Sequence, residues 1–116
     1  MEKIRAAITG IGGFLPDYRL TNEELSTWVE TSDEWIMQRI GIKERRIMKE
    51  EGQATSDMGA AAVKQLLEKT GTKPEEIELL ICATITPDSP LPAAANIINH
   101  KAGLINAWGF DLNAAC

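Results

Sequence analysis

The chain has 116 residues, of which 44% are hydrophobic and 25% are charged, and its formal net charge is −5. This composition is typical of a soluble globular domain, and the acidic balance argues against a general nucleic-acid binder, which would carry a basic face. No apolar run is long enough for a signal peptide or a membrane-spanning helix, so we expect a cytoplasmic protein with no nucleic-acid or membrane partner.

The first fifty residues predict a buried strand, two short helices and one segment with two alternatives. Residues 4–11 are apolar and partly β-branched and precede two glycines, which is typical of a buried strand and a tight turn. Two capping-box spacings, a Thr followed three residues later by a Glu, predict helices that begin at Thr21 and Thr31. The second helix ends at Gly41, and residues 42–48 predict either a short strand or an extended loop.

The second half of the chain alternates helices with strands. A predicted helix begins at about residue 55, carries its apolar side chains on one face and ends at Gly71. Residues 77–85 are an apolar run typical of a strand covered on both faces, and a proline-rich loop follows. Residues 93–102 predict another helix and residues 107–112 another strand. This alternation predicts an α/β fold with a mostly parallel sheet flanked by helices.

Cys116 is the residue whose position most suggests chemistry. If the chain continued as a helix, this thiol would lie near the helix N-terminus, where unpaired N–H groups and the helix dipole favour a thiolate. The alternative is a small buried hydrophobic residue, and position alone does not exclude it. Cys82 and Cys116 have neither the spacing of a zinc site nor that of a disulfide framework, so we expect no metal.

Three segments follow one another along the chain: TNEELSTWVETSDEWIMQRIGIKERRI, IELLICATITPDSPLPAAANIINHKAG and DLNAAC. They resemble the N-terminal signature, the central strand, loop and helix, and the nucleophile segment of the 3-oxoacyl-(acyl carrier protein) synthase III family. The similarity covers essentially the whole chain. It implies that residues 1–116 are the N-terminal portion of a condensing-enzyme domain with the layered αβαβα thiolase-like fold, truncated at the nucleophile.

The resemblance implies that Cys116 attacks an acyl-CoA thioester, forms an acyl-enzyme and releases CoA. Malonyl-acyl carrier protein would then decarboxylate, and its carbanion would attack the acyl-enzyme to give the 3-oxoacyl product that initiates fatty-acid synthesis. Sulfur suits this role because it is both a strong nucleophile and a good leaving group. Acyl-CoA is a substrate in this scheme, so no cofactor is expected.

The resemblance also assigns a CoA-binding role to Trp35, Arg39 and Thr31. Trp35 would stack on the adenine and Arg39 would contact the nucleotide end, because an aromatic face suits a base and a guanidinium suits phosphate. The two are four residues apart and share a helix face. The alternatives are a tryptophan in the core and an arginine paired with an acidic neighbour. Thr31 either binds the ligand or only caps the helix.

Leu91 occupies a position where many family members carry a Phe that reaches across a homodimer to wall the partner's acyl pocket. Because Leu is smaller, the resemblance predicts a roomier pocket and a primer longer or more branched than acetyl. The family's catalytic His and Asn come from the C-terminal half, whose motifs this sequence lacks. We therefore expect the 116-residue chain alone to be inactive and to need that half as a partner. The alternatives are a synthase III-like acyltransferase of secondary metabolism and a non-catalytic structural fragment.

Overall fold

The computed structural model describes residues 5–114, which form two compact units. The smaller unit is Leu15–Gln53, and the larger unit combines residues 5–14 with residues 54–114. The smaller unit contains β1 (Arg19–Thr21), α1 (Asn22–Ser26), α2 (Asp33–Ile40) and β2 (Glu44–Arg46). The larger unit contains α3 (Thr55–Thr70), a 3-10 helix (Pro74–Glu76), β3 (Leu79–Ala83), α4 (Ala94–Ala102) and β4 (Trp108–Leu112).

The smaller unit is a two-stranded antiparallel sheet with two short helices. β1 pairs with β2, and Leu20 lies opposite Arg45. Leu20 and Ile36, each 4% exposed, and Pro16 are its buried apolar side chains. Because three residues make a small apolar core, polar contacts must contribute much of the order in this unit. The strand at β2 confirms the first of the two alternatives for residues 42–48, whereas β1 was not predicted.

The first helix of the smaller unit begins where the sequence pattern predicts. The second begins one residue later than predicted. The Thr21 hydroxyl caps α1 by accepting a hydrogen bond from the Glu24 N–H, 3.1 Å away. At α2 the cap is Ser32, whose backbone is extended and whose hydroxyl accepts from the Trp35 N–H at 3.2 Å. The prediction that Thr31 caps this helix is therefore wrong, because Ser32 supplies the same oxygen one residue later.

The larger unit contains a parallel strand pair covered on one face by helices. β3 and β4 are parallel, with Ala83 opposite Leu112 at their carboxyl ends. α4 connects the two strands and packs on them, and α3 packs against α4. A Cβ on Gly59 of α3 would lie 2.5 Å from Cδ1 of Ile98, so glycine is what allows the two helices to approach this closely.

The two faces of this strand pair differ in exposure. Leu80 packs against the buried cluster formed by Leu67, Ala102 and Leu104. Alternate residues point the other way, as the two-residue period of a strand requires. The opposite face is apolar and exposed and includes Leu79, Ile81, Trp108, Phe110 and Leu112. The prediction that residues 77–85 form a strand covered on both faces is therefore wrong for the described residues, because helices cover one face only.

Residues 5–14 do not form the predicted strand, and Ile4 lies outside the described residues. The segment runs beside α3, where Lys69 Nζ donates to the Ile11 carbonyl oxygen at 3.1 Å and the Gly13 N–H donates to a side chain of the helix. Ile8 and Ile11 are 89% and 73% exposed. A strand needs the backbone of a neighbouring strand, and none of the strands described between residues 5 and 114 pairs with this segment.

The predicted α/β class is confirmed. Apart from residues 5–14, the predicted helices and strands of the larger unit are present in the predicted order, and their ends agree with the pattern to within a few residues. Gly71 and Gly103 end α3 and α4 in the left-handed conformation that favours glycine, with φ of 69° and 74°. Within residues 5–114, no helix has both the length and the apolar character needed to cross a membrane.

Candidate functional site

The carboxyl edge of the parallel strand pair carries an apolar depression. Because the strands are parallel, Ala83 and Leu112 end at the same edge, and the Thr84 N–H extends the pairing by donating to the Leu112 carbonyl at 3.2 Å. A depression of about 290 Å³ lies there, lined by Ala83, Thr84, Ile85, Leu112 and Ala114. Ligands of open α/β sheets commonly bind at such an edge.

Cys116, the predicted nucleophile, lies outside the described residues. The described part of its segment ends at Ala114, two residues earlier, and Ala114 is one wall of the depression at the carboxyl edge. The structure therefore brings the segment that leads to Cys116 to an apolar recess.

Asp111 on β4 caps the N-terminus of α4, a contact that the sequence pattern did not reveal. Its two carboxylate oxygens accept hydrogen bonds from the N–H groups of Ala94 and Ala95, at 2.7 and 2.8 Å. α4 has no capping side chain of its own, because its N-cap is Ala93. The sequence did contain one signal for this contact. The helix begins with three alanines, which cannot cap it, so its first N–H groups need an acceptor from another part of the chain.

Cys82, the cysteine within the described residues, is poorly suited to nucleophilic chemistry. It lies opposite Asp111 in the strand register and is partly buried. Burial, followed by the negative charges of Asp111 and Asp88, raises the pKa of the Cys82 thiol above its ordinary value. A raised pKa lowers the fraction of thiolate at neutral pH, so Cys82 serves as an internal control for reactions at Cys116.

The loop between β3 and α4 carries Leu91, the predicted acyl-pocket residue. Leu91 is 85% exposed. Its backbone is held by Ser89, whose hydroxyl donates to the Leu91 carbonyl oxygen at 3.1 Å. Further back in the loop, both carboxylate oxygens of Asp88 accept hydrogen bonds from Ser56 on α3. The structure thus presents an exposed apolar side chain on an anchored loop.

The first turn of α3 contains a polar cluster in which Ser56 is buried and Asp57 is partly exposed. Lys101 Nζ on α4 donates to the Ser56 hydroxyl at 2.7 Å and to the Asp57 carboxylate at 2.5 Å. The hydrogen bond from Lys101 to the Asp57 carboxylate holds the pKa of Asp57 below its usual range, and the bond from the Ala54 N–H adds to this effect. A lowered carboxylate pKa adds stability that is complete above the ordinary pKa of Asp and is lost as the pH falls through the lowered value.

In the smaller unit, Trp35 and Arg39 share a face of α2 as predicted. The Arg39 guanidinium carbon lies 5.5 Å from the centroid of the Trp35 ring, within the range of a cation–π contact. Trp35 is 56% exposed, so it does not pack in the core that the described residues form. Among residues 5–114, Arg39 forms no ion pair with an acidic side chain. Both groups are therefore accessible to a ligand.

Thr31 lies beside two depressions of the smaller unit. A depression of about 220 Å³ is lined by Glu30, Thr31, Ser32 and Trp35. A second, of about 520 Å³, is lined by a polar set that also includes Thr31 and Ser32, together with Thr21, Asn22, Glu23, Ser26, Asp33 and Lys43. Since Ser32 performs the capping, the Thr31 hydroxyl is not used as a helix cap.

Asn22 organises the smaller unit, and sequence reasoning missed it. It is 2% exposed, and its side-chain amide donates to Asp33 Oδ1 and to the Ile42 carbonyl oxygen, each at 2.8 Å. Its Oδ1 accepts from Arg45 Nη2 at 2.8 Å. One buried side chain thus joins α1, the start of α2 and β2. An isolated Asn next to a capping Thr gives no sequence signal for such a role.

No metal site is formed by the part of the chain that the structure describes, since no three His, Cys, Asp or Glu side chains are grouped together there. The chemistry available in the larger unit is that of an apolar recess next to the segment leading to a thiol. The smaller unit offers an exposed aromatic ring, a guanidinium and polar depressions. The apolar recess suits an acyl chain, and the features of the smaller unit suit a nucleotide.

Comparison with known proteins gives the same family as the three motifs. No family model matches the chain. It is 59% identical over 116 residues to the beta-ketoacyl-[acyl-carrier-protein] synthase III of Phocaeicola vulgatus, a match that covers 100% of this chain and 35% of the relative. The beta-ketoacyl-[acyl-carrier-protein] synthase III 2 of Bacteroides thetaiotaomicron is also 59% identical, with the same coverage. The chain spans about a third of the length of the curated relatives it matches.

Solved structures define the fold. The 3-oxoacyl-[acyl-carrier-protein] synthase III of Aquifex aeolicus superposes with a TM-score of 0.85 at 41% identity, over 93% of this chain and 34% of that one. The priming beta-ketosynthase of the R1128 polyketide pathway gives a TM-score of 0.85 at 38% identity, over 94% of this chain and 32% of that one. The fold is thus that of part of a thiolase-like synthase. In sequence the chain is similar to about a third of the beta-ketoacyl-[acyl-carrier-protein] synthase III relatives, which confirms the resemblance predicted from its motifs.

Proposed function

We propose that the chain is part of an acyltransferase of the synthase III type, which condenses an acyl-CoA primer with malonyl-acyl carrier protein through an acyl-Cys116 intermediate. The observation that carries this proposal is the apolar depression at the carboxyl edge, one wall of which is Ala114 in the DLNAAC segment. The identity of 59% to synthases over the whole chain supports the reaction class. The partners in this proposal are the C-terminal half of the same protein and a second copy in a homodimer.

The proposed reaction is the one that the family resemblance implies for a nucleophilic thiol. The Cys116 thiolate attacks the acyl-CoA carbonyl, the C–S bond to CoA breaks, and CoA leaves as its thiolate. Decarboxylation of the malonyl group then releases carbon dioxide and leaves a carbanion. This carbanion attacks the acyl-enzyme carbonyl, and the Cys116 sulfur leaves with the electron pair of its bond to the acyl group. The recess would receive the acyl chain and exclude water from the thioester.

Product analysis separates this proposal from a non-condensing acyltransferase and from a non-catalytic structural fragment. The complete protein, given acyl-CoA and malonyl-acyl carrier protein, is expected to release carbon dioxide and form a 3-oxoacyl product. The 116-residue chain alone should form neither, since the decarboxylating His and Asn are supplied by the other half. The likeness to a priming ketosynthase of a polyketide pathway favours secondary metabolism as the second candidate. Transfer of the acyl group to oxygen or nitrogen without carbon dioxide release would contradict the condensing reaction.

Trp35→Ala is expected to raise the KM for acyl-CoA by about tenfold and to leave kcat nearly unchanged. Stacking of a base on an aromatic ring contributes about 1–3 kcal/mol, and a contact made equally in the ground and transition states changes KM alone. Steady-state kinetics of the complete protein measures this. Trp28→Ala is the matched control, because Trp28 is 54% exposed in the same unit and lines neither depression. An equal rise in KM for both variants would contradict a specific role for Trp35.

Leu91→Phe is expected to shift the preference of the complete protein toward acetyl-CoA and away from branched and medium-chain primers. A larger side chain at this exposed position would reduce the volume left for the acyl chain, and one or two methylenes in a pocket change kcat/KM by about tenfold. The measurement is the ratio of kcat/KM for the two classes of primer. A strong acetyl preference before the substitution, with no change after it, would show that Leu91 does not set the pocket.

A further inference from the structure

The loop that carries Leu91 is attached to the first turn of α3 by three hydrogen bonds. Asp88 Oδ1 accepts from the Ser56 N–H at 2.8 Å, and its second oxygen accepts from the Ser56 hydroxyl. The Thr55 hydroxyl donates to the Thr86 carbonyl oxygen at 2.6 Å. Ser56 is fully buried and Asp88 is partly buried, and the two bonds between them fix this part of the loop.

A second attachment lies at the other end of the loop. The N–H groups of Ala94 and Ala95, at the start of α4, are bound by Asp111 of β4. The residues between the two attachments are 89–93, and Leu91 is three residues beyond Asp88. Three residues of extended chain span at most about 10 Å, so the position of Asp88 limits where Leu91 can lie.

The helix dipole of α3 favours the negative charge of Asp88 beside the first turn of that helix. Its carboxylate binds an N–H group in the first turn of α3, where the helix dipole favours an anion. The Ser56 hydroxyl that donates to Asp88 also accepts from Lys101 Nζ at 2.7 Å. The resulting chain of bonds, from Lys101 through Ser56 to Asp88, joins α4, α3 and the loop.

The same loop also borders the candidate acyl site. Its first residues, Thr84 and Ile85, line the depression at the carboxyl edge beside Ala114. A change in the anchoring of the loop at Asp88 would therefore move both Leu91 and one wall of that depression. None of these bonds is made by a group assigned to the reaction itself.

From this arrangement we infer that Asp88 is a positioning residue for acyl-chain selectivity, because its carboxylate holds the loop that carries Leu91. This inference rests on the proposed function. It assigns Asp88 no contact with the acyl chain. Its effect is to hold Leu91, Thr84 and Ile85 in one arrangement, and loss of the anchor should therefore widen the range of primers that the site accepts.

The test is Asp88→Asn in the complete protein. The amide keeps the size of the side chain and one acceptor for the Ser56 N–H, but replaces the oxygen that receives the Ser56 hydroxyl. We expect the ratio of kcat/KM for branched over acetyl primers to move toward one by about tenfold, as a wider range of accepted primers requires. Ser56→Ala, which removes the same bond from the other side, should change the ratio in the same direction. Hydrogen exchange in residues 86–93 should become faster in both variants.

Asp57→Asn is the matched control. Asp57 lies in the same turn of α3 and binds Lys101 and the Ala54 N–H, but it makes no hydrogen bond to the loop among the described residues. Its substitution should lower stability at neutral pH, and this difference from the unsubstituted protein should disappear as the pH falls through the lowered pKa of Asp57. The primer ratio should stay unchanged. An equal change of ratio in Asp57→Asn would overturn the inference, because the effect would then come from the helix end as a whole.

Two other outcomes would also overturn the inference. One is an unchanged primer ratio in both Asp88→Asn and Ser56→Ala, while Leu91→Phe changes it; condensation would then be intact and only the anchoring role wrong. The other is an unchanged ratio in all three variants. Failure of the proposed function is recognised separately, since the unsubstituted complete protein would then form no 3-oxoacyl product, and the inference would fall with it.

Discussion

Replacing Cys116 with Ala in the complete protein is expected to lower the rate of chain extension by about a thousandfold or more, the scale on which loss of a catalytic nucleophile acts. The physical reason is that the acyl group has no other carrier in the proposed reaction. Without the thiol, CoA cannot be displaced and no acyl-enzyme forms for the carbanion to attack. The measurement is 3-oxoacyl product formed from acyl-CoA and malonyl-acyl carrier protein.

Two variants sharpen this experiment. Cys116→Ser keeps the shape of the side chain but supplies a weaker nucleophile, so it should also lose most of the activity. Cys82→Ala is the matched control and should keep activity close to that of the unsubstituted protein, because the pKa of the partly buried Cys82 thiol is raised and disfavours a thiolate. Chain extension that survives in Cys116→Ser at its normal rate would contradict the assignment of the nucleophile.

Asn22→Ala is expected to destabilise the smaller unit by about 3 kcal/mol. The substitution removes three side-chain hydrogen bonds at a position that is 2% exposed. It leaves the Arg45 guanidinium and the Ile42 carbonyl oxygen without those partners, and an unsatisfied buried group costs about 1–3 kcal/mol. Hydrogen exchange in residues 19–46 of the complete protein measures the local opening free energy directly.

Asn22→Asp and Ser26→Ala complete this comparison. An aspartate at position 22 can still accept from Arg45, but it cannot donate to the Ile42 carbonyl and would repel Asp33, so it should also destabilise the unit. Ser26 is exposed and bonds only to the Glu23 carbonyl oxygen of its own helix among residues 5–114. Ser26→Ala should therefore change stability by less than about 0.5 kcal/mol. Equal exchange rates in all three variants would show that Asn22 does not organise the unit.

The elements of the larger unit could be predicted because their signals are local. α3 is defined by its apolar face and by Gly71, and α4 by the same kind of pattern ending at Gly103. The apolar run around β3 predicted the strand, and the helix that follows it predicted parallel pairing with β4. The predicted cover on both faces is not observed, since Leu79 and Ile81 are exposed. Propensity, periodicity and end signals agree in each case, so tertiary contacts had little to change.

Features that depend on distant residues could not be predicted in the same way. Residues 5–14 have strand composition, but in the described structure their polar contacts are with α3, more than fifty positions along the chain. The cap of α4 comes from Asp111, and the anchor of the loop at Asp88 comes from Ser56.

The cap of α2 differs from the prediction for another reason. Thr31 and Ser32 are adjacent and both carry a hydroxyl that can cap a helix, so the pattern alone could not choose between them.

The residues of the candidate site also differ in whether a local sequence signal or a distant partner sets their role. The shared helix face of Trp35 and Arg39 follows from their spacing and was predictable. The roles of Asn22 and Asp88 are set by partners from 11 to 32 residues away in sequence, and no motif marks them. Cys116 was assigned from the family resemblance, since its position in the chain left two alternatives open.

The most direct test of the account is the mass of the Cys116 peptide after the complete protein is incubated with a panel of acyl-CoAs. An acyl group should add to this peptide and release one equivalent of CoA, while the peptide containing Cys82 keeps its mass. Addition should be strongest for branched or medium-length chains. An unmodified Cys116 peptide with every acyl-CoA, or equal addition to both cysteines, would contradict the proposed acyl-enzyme.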